Sequence, residues 1–439
     1  MNEPLKISVL RRAYLAGETT PAKFISRLMG RFSDADQDGV WISTISAEML
    51  ASRCAELDAQ DPDSLPLYGI PFSVKDNIDA AGFDTTAACP AFAYSAKDSA
   101  TVVAKAEAAG AICIGKTNLD QFATGLVGVR SPYGVPTNPF NAEYIPGGSS
   151  SGAGVSVSTG MVGFAFGTDT GGSGRVPASY NGIYGLKPAP GEWSRDGLVY
   201  ACRSFDTATV FAAGLDDVLV VDDVVRGLDP DDAFSKAISR ETVTEPRIAM
   251  APPSAIDTFG DEEVARLYSQ AFGKLSHLDN FTETSLEPFQ SINDHMFFGP
   301  FLAERDVSVG AFIKAHPEAC HPVVGPMIQA STKFSAADAY RAIYETADLR
   351  RDTENNFWQA HDVLVAPTVG ALITRDMCVA DPLGPNFRNG TYTNFANPLG
   401  LASLSVPFGK TANGVPWGLT LYTQPKQFSA AVELAKLMM

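Results

Sequence analysis

The alternation of strand-like and helical segments is the feature that most constrains the fold of this chain. Apolar runs that predict strands lie at residues 68–74, 111–114 and 161–167. Between them, small and apolar residues predict helices at 98–109 and 150–158. Strands interleaved with helices are buried on both faces. This part of the sequence therefore predicts an α/β fold with a mixed, mostly parallel twisted sheet flanked by helices on both faces.

The second half of the chain predicts a return to the same sheet. Residues 260–360 read as mainly helical, and apolar strand-like runs follow at 362–365, 404–408 and 417–421. The length of 439 residues exceeds that of most single domains. We nevertheless expect one large domain over residues 1–439, with the helical segment packed on it.

Charge and cysteine usage exclude several classes of protein. The net charge of −17 disfavours nucleic acid and anionic lipid partners. The N-terminus lacks an uninterrupted apolar signal segment, and no run of apolar residues has the length of a membrane span. The six cysteines form no C-x-x-C pair, which favours free thiols in a reducing compartment. We therefore expect a cytoplasmic protein with a small-molecule substrate, and a homodimer is compatible with the sequence.

Two clusters of glycine and serine, at 147–154 and 167–179, carry the strongest functional signal. The apolar residues between them need burial, which argues against a flexible linker. Glycines allow successive backbone N–H groups to converge on one point, as the stabilisation of an oxyanion requires. Thr170, Gly171, Gly172 and Ser173 therefore predict an oxyanion hole beside a nucleophilic hydroxyl.

A nucleophilic serine needs a base, and Lys75 is the best candidate. All five histidines follow the glycine-rich region, and none lies in a recognisable catalytic context. Lys75 ends a buried strand-like run, where loss of water lowers the pKa of an ammonium group and favours the neutral base. A solvated lysine at the end of a strand is the alternative.

Five segments together resemble the amidase signature family: GIPFSVKDNI, IGKTNLDQF, PGGSSSG, GTDTGGSGRVPAS and GLKP. Their order and spacing match along nearly the whole chain. The resemblance implies a Ser–cis-Ser–Lys triad of Ser173 as nucleophile, Ser149 after a cis peptide bond, and Lys75 as base. It also implies an oxyanion hole at 170–173, supporting roles for Ser150 and Asp169, and no metal or organic cofactor.

Within that family, the sequence is most similar to the amidase domains of allophanate hydrolases. GPFLAER and YTNFANPLGLASLSVP carry this narrower resemblance. It implies that Arg305 binds the substrate carboxylate, that Gly125 also contacts substrate, and that Phe297 replaces a substrate-binding tyrosine. The expected reaction is hydrolysis of the terminal amide C–N bond of allophanate through a serine acyl-enzyme, with release of ammonia. We expect the additional C-terminal domain of full-length allophanate hydrolases to be absent.

Other functions stay open from the sequence. Residues 110–117, GAICIGKT, satisfy the phosphate-loop pattern G-x-x-x-x-G-K-[ST], although their apolar centre favours a buried strand. The family resemblance also allows an amidase for guanylurea or another small amide, or an amidotransferase component that supplies ammonia to a partner. A noncatalytic binding module is the remaining alternative.

Overall fold

The strands are distributed along the chain from residue 41 to residue 423. The computed structural model describes residues 3–30 and 39–439. The strands of this part are β1 (Trp41–Thr44), β2 (Pro71–Lys75), β3 (Asp84–Thr85), β4 (Tyr94–Ser95), β5 (Ile112–Thr117), β6 (Phe164–Asp169), β7 (Tyr184–Lys187), β8 (Thr207–Ala212), β9 (Ile248–Met250), β10 (Phe281–Glu283), β11 (Val363–Pro367), β12 (Ala402–Lys410) and β13 (Pro416–Thr423). The strands expected from the sequence are thus present, each shifted by a few residues.

Helices separate most of these strands and dominate the region between β10 and β11. They are α1 (Ile7–Leu15), α2 (Pro21–Met29), α3 (Ala47–Asp58), α4 (Thr101–Ala108), α5 (Ser151–Ser158), α6 (Val176–Asn181), α7 (Leu215–Val225), α8 (Glu262–Leu275), α9 (Glu287–Gln290), α10 (Asp294–Phe297), α11 (Leu302–Arg305), α12 (Ala311–Ala315), α13 (Val324–Gln329), α14 (Ala336–Asn356), α15 (Arg375–Ala380), α16 (Gly384–Gly390) and α17 (Phe428–Met438). A π-helical turn, Asp306–Gly310, joins α11 to α12.

The main sheet is mixed and flanked by helices, as the sequence predicts, but its strands are not mostly parallel. The eleven strands run in the order β1-β5-β2-β6-β8-β7-β12-β13-β11-β9-β10. Parallel pairing is limited to β5/β2, β2/β6, β11/β9 and β9/β10 among the described residues, and the other six pairs are antiparallel. One cause is the short turn between β12 and β13, which can only form an antiparallel hairpin.

The three adjacent parallel strands β5, β2 and β6 form the part of the sheet that carries the site. Lys75 is the last residue of β2, and Asp169 is the last residue of β6. Parallel strands place their carboxyl ends at the same edge of a sheet, which is where ligands bind in open α/β sheets. Phe72 of β2 and Phe164 of β6 stack with ring centroids 4.9 Å apart and anchor the two strands in the core.

The phosphate-loop interpretation of residues 110–117 is wrong. Ile112–Thr117 is the fully buried strand β5 rather than an open polar loop. Lys116 is buried and forms an ion pair with Asp76 at 3.2 Å, and it also donates to Thr85 Oγ1 at 3.0 Å. Its ammonium group is therefore committed to the protein core and does not bind a nucleotide phosphate.

The cysteines are free thiols, and Cys54, Cys89, Cys113 and Cys202 are buried. Burial raises the pKa of the Cys113 thiol to about 12, so this thiol stays protonated. Within residues 3–30 and 39–439, every helix is too short or too polar to cross a bilayer.

Candidate active site

A continuous hydrogen-bonded chain joins the three residues of the predicted triad. Lys75 Nζ donates to Ser149 Oγ at 2.7 Å, and Ser149 Oγ donates to Ser173 Oγ at 2.9 Å. Lys75 and Ser149 are fully buried, and Ser173 is 3% exposed. Protons can therefore pass between Ser173 and Lys75 through one intermediate hydroxyl, without bulk water.

Burial gives Lys75 the properties of a base at neutral pH. Desolvation lowers the pKa of Lys75 from 10.5 to about 7, although Asp120, Asp206 and Asp169 act in the opposite direction. The ammonium group has a second acceptor, Thr168 Oγ1, at 2.7 Å. These hydroxyl contacts orient the amine, while no carboxylate forms an ion pair with it among the described residues. The alternative of a solvated lysine is thus wrong.

Ser149 lies in a tight turn that leads into helix α5. The Gly148–Ser149 peptide bond is cis, which agrees with the position implied by the family resemblance. The carbonyl oxygen of Ser149 accepts from the backbone N–H of Asp120 at 3.1 Å. The next residue, Ser150, donates its hydroxyl to the carbonyl oxygen of Thr168 at 3.2 Å. These contacts fix the turn against the end of β6, beside Lys75.

The loop that carries Ser173 is held by a buried ion pair. Asp169 accepts from the N–H groups of Gly172 and Gly174, both at 2.8 Å, and from two nitrogens of Arg175 at 2.8 and 2.9 Å. Burial by itself raises the pKa of Asp169, but Arg175 and these hydrogen bonds hold it below its usual value. Asp169 is therefore a carboxylate that shapes the loop, in line with a supporting role.

Gly172 is the one predicted oxyanion donor whose N–H has a protein acceptor among the described residues. Its N–H points to Asp169 and is already used. Its φ of 140° is a conformation that favours glycine, and an added Cβ would lie 2.4 Å from Thr393 Oγ1. Gly172 thus serves to turn the loop. The N–H groups of Thr170, Gly171 and Ser173 have no protein acceptor within the described part of the chain, and stay available for an oxyanion.

Asp206 supports the same loop from the opposite side. It accepts from Thr170 Oγ1 at 2.5 Å and from the N–H groups of Ala201 and Cys202 at 2.7 and 3.1 Å. Burial raises the pKa of Asp206 to about 6, despite these hydrogen bonds. The Gly125 carbonyl oxygen closes this side of the site and lies 3.5 Å from Ser173 Oγ.

Arg305 is a buried cation without a carboxylate partner among the described residues. Its side chain is fully buried at the end of helix α11, and its Nη1 donates to the Cys202 sulfur and the Met296 carbonyl oxygen, both at 3.0 Å. Its Nε and Nη2 have no hydrogen-bond partner there. The neighbouring Glu304 instead accepts from the N–H of Ser204 at 2.8 Å. Arg305 is therefore a core residue and not a solvated surface arginine.

Phe297 connects Arg305 to the loop of Ser173. The Cζ of Arg305 lies 4.8 Å from the centroid of the Phe297 ring. The Cε2 atom of the same ring lies 3.2 Å from the point where a Cβ on Gly171 would sit. The structure thus brings the predicted substrate-binding residues Arg305 and Phe297 to residues 170–173, the predicted oxyanion loop. Phe297 offers no hydroxyl there.

Sequence reasoning missed several residues that build the site. Thr168 and Arg175 belong to the same GTDTGGSGR motif as Ser173, so their position was a usable signal. Asn397 donates to the Asp169 carbonyl oxygen at 2.7 Å and accepts from Arg175 at 3.1 Å. No spacing rule links Asn397 or Asp206 to the motif, because their contacts arise only from the fold.

Comparisons with known proteins agree with this arrangement. The family model described as "Amidase" matches residues 24–428. The urea amidolyase of Lachancea kluyveri is 38% identical over 429 residues, which cover 95% of this chain and 23% of that protein. A glutamyl-tRNA(Gln) amidotransferase polypeptide of Symbiobacterium thermophilum is 31% identical, over 98% of this chain and 95% of that protein. The chain therefore spans less than a quarter of the urea amidolyase it matches.

Solved structures extend the similarity to the whole fold. The allophanate hydrolase of Kluyveromyces lactis superposes with a TM-score of 0.91 at 36% identity, over 97% of this chain and 71% of that one. The match extends over the eleven-stranded sheet, so it confirms the mixed sheet flanked by helices that the sequence predicts. The protein belongs to the amidase family.

Proposed function

We propose that the chain is a serine amidase in which Ser173 is the nucleophile, Ser149 the relay and Lys75 the base. The observation that carries the proposal is the buried hydrogen-bonded chain from Lys75 Nζ through Ser149 Oγ to Ser173 Oγ. A serine hydroxyl becomes an effective nucleophile when a neighbouring base takes its proton. A lysine whose pKa burial lowers to about 7 is suited to that task at neutral pH.

The reaction proceeds in two proton-balanced stages. Ser173 Oγ forms a bond to the amide carbon, its proton passes to Ser149, and the proton of Ser149 passes to neutral Lys75. The oxyanion accepts from the free N–H groups of Thr170, Gly171 and Ser173. The C–N bond then breaks as the proton returns through Ser149 to the leaving nitrogen, which departs as ammonia. Water releases the acyl group by the same relay and restores Ser173.

The substrate class that the site favours is a small amide with a carboxylate, and allophanate is our specific proposal. Arg305 is fully buried, and two of its nitrogens, Nε and Nη2, have no hydrogen-bond partner within residues 3–30 and 39–439. A guanidinium binds a carboxylate through two parallel hydrogen bonds, and a bound carboxylate would supply the missing acceptors. The likeness to the K. lactis allophanate hydrolase supports the same substrate. Its hydrolysis would release ammonia and N-carboxycarbamate.

An amide with a less polar substituent is the second candidate. Phe297 lacks the hydroxyl expected at its position and also lines a cavity of about 510 Å³, together with Phe298, Leu302 and Met327. A mostly apolar wall of this kind favours apolar ligand surface.

Ammonia release from a matched panel tests the proposal. Allophanate, guanylurea, malonamate and simple neutral amides should be compared in the wild-type chain and in Ser173→Ala, which we expect to be folded and inactive. Arg305→Ala should lower kcat/KM for allophanate on the order of 100-fold relative to a neutral amide, because a charged hydrogen bond to the carboxylate is lost.

Arg351→Ala is the matched control, since Arg351 is an exposed arginine on helix α14. It should leave every rate within about twofold of the wild type, as expected of a surface substitution. An unchanged preference for allophanate in Arg305→Ala would refute the substrate assignment and leave the amidase mechanism standing. Full activity in Ser173→Ala would refute the mechanism itself.

A further inference from the structure

Asn394 is a buried polar side chain beside the loop of Ser173, and its side-chain carbonyl oxygen has no hydrogen-bond partner in the described part of the chain. Asn394 is 5% exposed, and its Oδ1 accepts no hydrogen bond from the described residues. This oxygen lies 2.8 Å from the point where a Cβ on Gly171 would sit. A buried acceptor that stays unpaired destabilises the protein, because it has given up its hydrogen bonds to water. Its place next to a proposed oxyanion donor points to a ligand that supplies the missing hydrogen bond.

The surroundings of Asn394 define which part of a ligand it meets. The ring of Phe297 faces the same point of Gly171, at 3.2 Å, and the guanidinium of Arg305 lies 4.8 Å from the centroid of that ring. The oxyanion loop is thus one end of a short site, and Arg305 is the other. Asn394 Oδ1 and the Phe297 ring meet at the same point of this loop, so a ligand that extends from the loop along the ring toward Arg305 passes Oδ1.

Asn394 Oδ1 differs in its hydrogen-bonding chemistry from the two ends of the site, the loop of Ser173 and Arg305. The free N–H groups of the loop and the free nitrogens of Arg305 are donors, so both ends bind oxygen atoms. Asn394 Oδ1 is an acceptor and requires an N–H. The Gly125 carbonyl, another acceptor near Ser173, already receives the Ser173 hydroxyl at 3.5 Å. Allophanate carries an N–H between its amide carbonyl and its carboxylate.

We infer that Asn394 is a specificity residue whose Oδ1 accepts a hydrogen bond from the central N–H of an N-carboxylated urea. This inference rests on the proposed amidase function and adds a recognition element to the same site. The residue separates ureido substrates from carbon analogues of the same shape. Malonamate has a methylene group in place of the central N–H, so it leaves Oδ1 unpaired. A site that hydrogen-bonds a substrate N–H rejects the analogue that lacks it.

The test compares kcat/KM for allophanate and malonamate in the wild type and in Asn394→Leu, which has a similar size and no acceptor. We expect the allophanate value to fall on the order of 10- to 100-fold, because one substrate hydrogen bond is lost. The malonamate value should stay within about threefold, as expected when no hydrogen bond is removed. An equal fall for both substrates, or no fall for either, would overturn the inference.

Two further variants make the result specific. If Asn394→Leu does not fold, Asn394→Ser takes its place in the test. Its shorter side chain replaces the amide and should also lower the preference for allophanate. Asn293→Leu is the matched control, because Asn293 contacts the same segment through the Thr391 carbonyl oxygen, at 2.8 Å. It should leave the substrate preference unchanged. Absence of allophanate turnover in the wild type would refute the proposed function as well, whereas unselective effects in Asn394→Leu refute only the role of Asn394.

Discussion

Thr168→Val changes the titration of Lys75 without touching the nucleophile, and its effect can be worked out from the structure. The Thr168 hydroxyl accepts from Lys75 Nζ at 2.7 Å. A hydrogen bond from an ammonium group contributes about 1.5–3 kcal/mol, and one from a neutral donor about 0.5–1.5 kcal/mol. Loss of the acceptor thus disfavours the charged form by about 1 kcal/mol more than the neutral form, or about 0.7 pKa unit. Because the pKa of Lys75 is already lowered to about 7, it should fall further.

The pH dependence of kcat/KM for ammonia release measures this shift. The neutral amine is the active form, so the rate should fall as the pH drops through the pKa of Lys75 in the free enzyme. In Thr168→Val the midpoint of this acid limb should move to lower pH by about 0.5–1 unit, with a similar rate on the alkaline plateau. Thr209→Val removes another buried hydroxyl, one without a partner among the described residues, and should leave the midpoint in place. An unchanged midpoint in Thr168→Val, or an upward shift, would refute Lys75 as the titrating base.

Three other changes test the site. Arg175→Met leaves the Asp169 carboxylate buried and unpaired, so the free energy of unfolding in urea should fall by about 3–5 kcal/mol; an unchanged value would contradict the supporting role of this pair. Phe297→Tyr should retain or increase turnover of allophanate if a hydroxyl contact is what the site lacks, and a large loss of kcat/KM would show that the ring has another role. The chain alone should release ammonia, because Lys75, Ser149 and Ser173 already form their hydrogen-bonded chain; strict dependence on an added protein would show that the site needs a partner.

The sequence predicted a mixed sheet flanked by helices and the three residues that the fold brings together, but not the direction of most strands. Ser173, Ser149 and Lys75 lie in motifs whose residue types already express their chemistry, and the fold brings all three together. Strand direction was predicted less well, since the alternation of helices and strands does not specify whether neighbours run parallel. The contact of the Gly172 N–H with Asp169 could not be predicted, because the direction of a single N–H depends on a backbone dihedral. Asn394 went unrecognised because an asparagine in an irregular segment also suits a turn.

The ion pair beneath the Ser173 loop also has a consequence for synthesis of the protein. Arg175 donates to the carbonyl oxygen of Thr393 at 3.0 Å and to Asn397 at 3.1 Å, more than 200 positions further along the chain. Contacts between such distant positions form late, since the intervening chain must first be made and folded. Lys75, Ser149 and Ser173 all precede residue 180 in the sequence. The loop that carries Ser173 nevertheless gains its final support only after Asn397 has emerged from the ribosome. A nascent chain therefore carries Lys75, Ser149 and Ser173 during the synthesis of more than 200 further residues before Arg175 meets these partners, which delays completion of the Ser173 loop.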